Sequence, residues 1–145
     1  MIRPLLAEDE QGWRYLFRAY GEFYESTFDD IVLEKVWMLL LTAGSGVDAI
    51  VALADDKTVV GFAHYRSHPD TFTTGRDWFL DDLFVDPASR GSGAATALIE
   101  RLKQFAAETG PGTLRWITAE SNERAQRVYD RVATRTTWVT YEVRA

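Results

Sequence analysis

The sequence predicts a mixed α/β fold, with a central twisted sheet of about six strands and four helices in the order β α α β β β α β α β. Three patterns predict this class. Apolar residues recur on one helical face between Trp13 and Tyr24, two apolar runs flank a polar turn at 55–57, and the second half alternates apolar runs with helical segments. The chain of 145 residues has the length of one domain, so we expect a single domain over residues 1–145.

The first half begins with a short strand predicted over residues 2–6. Pro4 suits the edge of a sheet, because proline has no backbone N–H to donate. A helix is predicted from Glu8 to Tyr24, where apolar side chains keep a period of about 3.6 residues. After a break at 26–30, a second helix is predicted to run to about Thr42, where glycines follow it.

The middle of the chain favours strands. Residues 47–54 and 58–65 are predicted to form the two arms of a hairpin, and a third strand is predicted from Trp78 to Val85. The elements predicted after it are a helix to about Thr109, a strand over 114–118, a helix from Ser121 to Val132 with Ser121 as its N-cap, and a last strand over 136–143.

Composition narrows the range of functions. The net charge of −6 argues against nucleic acid as the main partner, since proteins that bind phosphate backbones need a basic face, and it suits a cationic small molecule or peptide. The chain has no cysteine, which excludes disulfides, thiolate metal sites and a cysteine nucleophile. No apolar run approaches the roughly 20 residues of a membrane span, and the first residues do not resemble a signal peptide. We therefore expect a cytoplasmic protein without a membrane partner.

The stretch VDPASRGSGAATAL, from Val85 to Leu98, joins the third predicted strand of the middle region to a helix. The first N–H groups of a helix lack intrahelical partners, and the helix dipole makes that end partly positive, so this start is a candidate site for a phosphate or pyrophosphate. Gly91 and Gly93 keep side chains away from such a ligand, and Arg90 adds a permanent charge. Taken alone, two glycines fit an ordinary strand-to-helix loop better.

A second pattern lies in the last predicted helix, where Asn122 and Tyr129 are separated by about two turns. Both side chains therefore lie on nearly the same stripe, roughly 10 Å apart along the axis, and Ala125 between them leaves that stripe open. On their own, Tyr129 is typical of a core aromatic residue and Asn122 of a helix cap.

Together the two segments resemble the GNAT superfamily of acetyl-CoA-dependent N-acetyltransferases. Arg90, Gly93 and Ala95 match the pyrophosphate motif Arg/Gln-x-x-Gly-x-Gly/Ala, and the helix pattern matches Asn-x-x-Ala-x-x-x-Tyr. The order of elements agrees with a GNAT-like sheet. FLDDLFVDPASRG and SNERAQRVYDRVA look most like the small histone and polyamine acetyltransferases of the spermidine/spermine type. Ala133-Thr134 departs from the pair that commonly follows the motif tyrosine, which puts details of the substrate pocket in doubt.

The resemblance implies acetyl-CoA as co-substrate, no metal, and a homodimer. Asn122 would hydrogen-bond the coenzyme, and Tyr129 would protonate the departing thiolate. Backbone groups of Leu83, Phe84 and Val85 would pair with the pantetheine arm and polarise the thioester carbonyl. The pyrophosphate would lie in a cradle made by Arg90, Gly91, Ser92, Gly93, Ala94, Ala95 and Thr96.

Acetyl transfer also needs a group that takes a proton from the acceptor, because a primary amine has a pKa of about 10.4. Asp81 and Asp82 directly precede the proposed carbonyl-binding segment and are the candidates, for binding the acceptor and for catalysis. Neighbours on a strand point to opposite faces unless a bulge intervenes, so we expect one of them to line the pocket. A solvated strand edge is the alternative.

Three other features bear on partners. Tyr20, Glu22 and Tyr24 near the end of the first long helix are candidates to line the acceptor site, although packing explains the tyrosines equally well. His64 and His68 are roughly 13 Å apart on a strand, so no metal site is expected there. Trp138 on the last predicted strand is a candidate for a dimer interface, because an exposed β edge invites pairing.

The function that fits these patterns is acetyl transfer from acetyl-CoA to a primary amine of a small cationic molecule or a lysine side chain, by direct attack in a ternary complex. An alternative is an acyl-CoA-binding regulatory or interaction module without transfer activity. A third is a phosphate-ligand domain unrelated to acetyl transfer. Turnover separates the first two, and coenzyme A binding separates the third.

Overall fold

The computed structural model describes residues 1–145, which form five strands and four α-helices in the order β α α β β β α β α. Short 3₁₀ turns precede the first and third helices. The strands are β1 (Ile2–Pro4), β2 (Asp48–Leu53), β3 (Val59–Pro69), β4 (Arg76–Val85) and β5 (Leu114–Arg115), and the helices are α1 (Glu10–Phe23), α2 (Asp30–Leu41), α3 (Ala94–Glu108) and α4 (Glu123–Val132). The predicted mixed α/β class is confirmed.

The five strands form one mixed sheet in the order β1-β2-β3-β4-β5. The first four pair antiparallel, and β5 joins β4 in parallel at two positions only, Trp78 with Leu114 and Phe79 with Arg115. A parallel neighbour needs a crossover, which α3 supplies. Beyond Phe79, the side of β4 that faces away from β3 has no strand partner. That open edge, residues 80–85, becomes part of the site described below.

Helices cover both faces of the sheet. α1 and α2 pack on one face, where Trp13 and Leu33 join a core with Phe62 of β3. α3 packs on the other face, where Leu98 joins a core with Ile50 of β2, and apolar side chains of α4 border it. α1 buries the face that carries its apolar period, as the sequence predicts. No helix in the chain combines the length and the apolar character needed to span a bilayer.

The strand predicted over 136–143 is absent. Residues after α4 adopt no regular structure, and no backbone hydrogen bond joins the segment 134–145 to the rest of the chain. Its sequence has strand propensity, but a strand forms only where its N–H and C=O groups find a second strand. The sheet therefore has five strands instead of six.

Two predicted boundaries also differ. The last helix begins at Glu123, and its N-cap is Asn122 rather than Ser121, since Asn122 Oδ1 accepts a hydrogen bond from the Ala125 amide at 3.3 Å. Serine and asparagine are equally good N-caps, so the sequence does not rank two neighbours. The strand predicted over 114–118 shortens to two residues because β4 offers it partners only at Trp78 and Phe79.

Candidate active site

A β-bulge in β4 sets the direction of the side chains around the site. Leu80 pairs with Tyr65 and Asp82 pairs with His64, so Asp81 is the extra residue on β4. A bulge interrupts the strict alternation of side chains between the two faces. Asp82 consequently faces α1, although simple alternation would place it on the same side as Leu80.

The bulge separates the two predicted aspartates. Asp81 is exposed and pairs with Arg66, whose Nε lies 3.0 Å from each carboxylate oxygen. Asp82 is half-buried and accepts two hydrogen bonds, from Tyr20 Oη to Oδ1 at 2.7 Å and from His64 Nδ1 to Oδ2 at 2.9 Å. Neither carboxylate lies in the cavity wall, but Asp82 is one side chain behind it, because Tyr20 lines the cavity.

His64 and Trp13 continue this hydrogen-bonded chain into the core. Trp13 Nε1 donates to His64 Nε2 at 2.9 Å, and His64 is 2% exposed. Tryptophan is only a donor, so Nε2 accepts and the ring proton of His64 sits on Nδ1, directed at Asp82. The result is a buried chain that runs from Trp13 through His64 to Asp82, which also accepts from Tyr20.

The pKa values of this cluster follow from burial and these hydrogen bonds. Burial raises the pKa of Asp82, but the hydrogen bonds from His64 and Tyr20 more than offset it, so the pKa is lowered. Burial, and then the charge of Asp82, raise the pKa of Tyr20. Burial raises the pKa of Tyr129 to about 12, with Tyr24 adding to the rise. At neutral pH the site therefore holds one carboxylate among neutral phenols.

A cavity of about 480 Å³ opens between α1, the open edge of β4, the start of α3 and the inner side of α4. Tyr20, Tyr24 and Tyr129 line it, as do Arg124 and Arg131 of α4. Its wall also contains all the residues predicted to bind the coenzyme, namely Leu83, Phe84, Val85, Arg90, Gly91, Ser92, Gly93, Ala94, Ala95, Thr96 and Asn122. The volume lies in the range of small-molecule sites.

The loop before α3 has the backbone of an anion site. Gly91 and Gly93 have φ values of +84° and +81°, a left-handed conformation that other residues adopt at a cost. A Cβ on either would meet no protein atom within 4 Å, so backbone conformation, and not packing, requires glycine. The first intrahelical bond runs from the Ala97 amide to Gly93, which leaves the amides of residues 94–96 unpaired at the cavity.

Comparison with known proteins identifies the family. The family model described as acetyltransferase (GNAT) matches residues 10–133. The chain belongs to the GNAT acetyltransferase family. The protein is thus an acetyltransferase enzyme of a family that uses acetyl-CoA.

Three relatives of this GNAT acetyltransferase have sequence identities between 26% and 32%. It is 27% identical over 144 residues to the D-amino-acid N-acetyltransferase HPA3 of Saccharomyces cerevisiae, covering 98% of this chain and 89% of that protein. A thialysine N-epsilon-acetyltransferase of Bos taurus is 32% identical over 71 residues, which are 49% of this chain and 41% of that protein. The crystal structure of a ribosomal-protein-alanine N-acetyltransferase from Brucella melitensis biovar Abortus 2308 superposes with a TM-score of 0.81 at 26% identity, covering 100% of this chain and 99% of that one.

The sequence of this GNAT acetyltransferase does not reveal the partners of Asp82. From the sequence, His64 is predicted only to share a strand with His68, and Trp13 only to lie on the apolar face of a helix. Both lie on predicted elements, but the link from His64 to Asp82 depends on how β3 pairs with β4, and the sequence does not show strand register. The spacing of Trp13 and Tyr20, two helical turns apart on α1, is the one sequence signal that places both on the same face.

Proposed function

We propose that this GNAT acetyltransferase transfers the acetyl group of acetyl-CoA to a primary amine of a small cationic molecule or a lysine side chain, by direct attack in a ternary complex. One observation carries the proposal: a single cavity is lined by the unpaired amides at the start of α3, by Tyr129 of α4 and by Tyr20, which is bonded to Asp82. The candidate coenzyme site and acid therefore line one cavity, and the carboxylate is hydrogen-bonded to a side chain of its wall.

The coenzyme fits the residues present. Unpaired amides at a helix start, together with Arg90 and Arg124, suit a diphosphate. The unpaired edge of β4 at Leu83–Val85 offers N–H and C=O groups to an extended, amide-bearing arm and a donor to the thioester carbonyl. Asn122 uses Oδ1 as a helix cap, so we assign its amide nitrogen to the coenzyme.

Tyr129 is the proposed acid. Acetyl transfer forms an N–C bond and breaks a C–S bond, so the leaving thiolate needs a proton. Tyr129 packs edge-on against Trp116, with ring centroids 5.3 Å apart, which fixes the direction of its phenol. Because its pKa is about 12, it holds this proton throughout the neutral range.

Asp82, and not Asp81, is the proposed partner of the acceptor amine. Its lowered pKa keeps it ionised, and an ionised carboxylate beside phenols attracts an ammonium group. Tyr24 lines the same end of the cavity and is assigned to the acceptor site. These groups suit substrates of the polyamine and histone-lysine type, and the similarity to a D-amino-acid N-acetyltransferase supports a small amine as acceptor.

We propose in addition that the enzyme is a homodimer whose interface includes the segment 134–145. In this segment Trp138, Tyr141 and Val143 are 88%, 91% and 96% exposed, and the backbone has no hydrogen-bond partner. β5 lies at the edge of the sheet, and nothing pairs with its outer side. Each copy thus carries an open edge and an unpaired, strand-prone segment, which two copies related by a two-fold axis satisfy reciprocally.

The test is release of coenzyme A thiol from acetyl-CoA in the presence of polyamines, lysine peptides and D- and L-amino acids, with coenzyme A affinity measured by calorimetry. We expect turnover with at least one amine. Coenzyme binding without turnover on any amine would favour the regulatory module instead. Absence of coenzyme A binding would contradict the coenzyme site itself.

A further inference from the structure

Tyr20 stands between the cavity and Asp82. It lines the cavity, whereas Asp82 does not, and its phenol donates to Asp82 Oδ1 at 2.7 Å. Its ring also packs against that of Tyr24, with centroids 5.0 Å apart, so two of the three phenols of the wall are neighbours. An amine in this cavity can therefore contact Tyr20, whose phenol is hydrogen-bonded to the carboxylate.

The hydrogen bonds of this cluster all lead toward the carboxylate of Asp82, which accepts from both sides. Trp13 donates to His64, His64 donates to Asp82, and Tyr20 donates to Asp82 from the other side. The carboxylate is the only member that accepts without donating, so it is the only one that can gain a proton without losing another. A proton that arrives at Tyr20 Oη can therefore move on only to Asp82.

We propose that Tyr20 relays the proton of the acceptor amine to Asp82. As the nitrogen of the neutral amine bonds to the acetyl carbon and the C–S bond breaks, an N–H proton passes to Tyr20 Oη and the phenolic proton of Tyr20 passes to Asp82 Oδ1. One N–H and one O–H bond break, and two O–H bonds form. Tyr20 is neutral before and after the step, and Asp82 becomes the neutral acid.

The relay rests on the proposed acetyltransferase function and completes the proton balance for an acceptor that has already released its ammonium proton to solvent. Tyr129 gives one proton to the thiolate, and Asp82 gains one proton from the amine. Return of that proton from Asp82 to Tyr129 through solvent restores both groups for the next turnover. Tyr20 is a catalytic residue in this scheme, because it contacts the reacting amine. His64 and Trp13 are positioning residues that hold the carboxylate toward Tyr20.

The first test compares Tyr20→Phe with Tyr15→Phe. The first change removes only the relaying oxygen, whereas Tyr15 lies on the same helix with 67% of its surface exposed. We expect Tyr20→Phe to lower kcat about 100-fold with coenzyme A affinity unchanged. The number of protons transferred in the rate-limiting step, obtained from the dependence of kcat on the D₂O fraction, should also fall by one. Tyr15→Phe should match wild type in both measurements.

Double variants separate a relay from a merely structural role. If Tyr20 acts through Asp82, then Tyr20→Phe combined with Asp82→Asn should lower kcat no further than the more damaging single change. Asp81→Asn is the matched control and should leave kcat unchanged. His64→Gln, which keeps a donor for Asp82, should retain more activity than His64→Leu at equal coenzyme A affinity.

The outcomes that overturn the proposal are distinct. An active wild type whose kcat survives Tyr20→Phe contradicts the relay and leaves the acetyltransferase function standing, as does multiplication of the losses in the double variant. A wild type that binds coenzyme A but acetylates no amine overturns the proposed function and the relay with it. Thermal unfolding of each variant identifies any loss of activity that comes from loss of the fold.

Discussion

Tyr129 is buried beside Trp116 at the inner side of α4, where its phenol has a pKa of about 12. We expect Tyr129→Phe to lower kcat by about 10²- to 10⁴-fold, because the ring remains and only the acid is lost. Coenzyme A affinity measured by calorimetry should not change. Tyr15→Phe is again the exposed control.

The same pKa gives a pH dependence with a definite sign. An acid must be protonated to work, so the contribution of Tyr129 is present at neutral pH and is lost only as the pH rises toward about 12. Profiles of kcat for wild type and Tyr129→Phe should therefore run parallel from pH 6 to roughly pH 10, the variant lower throughout. A fall in the wild-type profile near pH 8 that the variant lacks would contradict this assignment.

At this scale, motif residues were predictable and their neighbours were not. Asn122 and Tyr129 are two turns apart on one helix, and the family resemblance, rather than spacing, associates them with Gly93; all three line the cavity. The link from Asp82 to His64 depends on which residues face each other across two strands and on a bulge at Asp81. Pairing of this kind is a long-range property, and composition and period carry no information about it.

At the scale of elements, the start of α3 offers a prediction with a matched control. Gly93 and Gly44 have φ values of +81° and +76°, and a Cβ at either would meet no protein atom within 4 Å. Alanine at each should lower the free energy of unfolding by about 1 kcal/mol, because the left-handed conformation disfavours a Cβ. Urea denaturation of the two variants should show the same decrease in the free energy of unfolding.

Only one of the two glycines lies in the cavity wall. We expect Gly93→Ala to weaken coenzyme A binding, since the added methyl group enters the space assigned to the diphosphate, whereas Gly44→Ala should bind coenzyme A like wild type. Equal affinities for the two variants, measured by calorimetry, would show that the loop before α3 does not hold the coenzyme.

Asp9 ties β1 to the start of α1. It is 4% exposed, and its carboxylate accepts hydrogen bonds from Arg3 at 2.7 and 2.9 Å and from the Leu6 amide at 2.7 Å. Burial raises the pKa of Asp9, but the Arg3 and Leu6 hydrogen bonds more than offset it, so the pKa falls below its ordinary 3.8. Its stabilising effect is thus present above pH 3.8 and is lost as the pH falls through the lower, folded-state value.

Asp9→Asn should lower the free energy of unfolding by about 2 kcal/mol at pH 7, since it weakens charge-assisted bonds in a buried position. The gap between variant and wild type should narrow as the pH falls below 3.8. Glu8→Gln is the control: its carboxylate is 75% exposed and 3.6 Å from Arg3, so its loss should change stability by less than about 1 kcal/mol. A gap that widens in acid would contradict the ion pair.

For the whole molecule, helix α1 and the hairpin of β2 and β3 were predictable from local patterns. In each, burial of the apolar side chains stabilises the element that the pattern predicts. The strand predicted over 136–143 has the same kind of pattern, yet it has no partner within the chain. Local propensity therefore identifies a segment that is able to form a strand, but it does not identify the partner strand. The open edge at β5 and the exposed side chains of the segment 134–145 support the proposal that the missing partner is a second copy.

This assignment predicts an oligomeric state that a single substitution changes. We expect light scattering after size exclusion to give a dimer mass for the full chain and a monomer mass for Val139→Pro. Proline removes a ladder donor in a segment that makes no backbone hydrogen bond within its own chain, so the monomer should still fold and unfold in one cooperative thermal transition. Phe72→Ala removes a side chain that is 96% exposed elsewhere and should leave the dimer intact. A wild-type monomer, or a Val139→Pro dimer, would show that the segment does not join two copies.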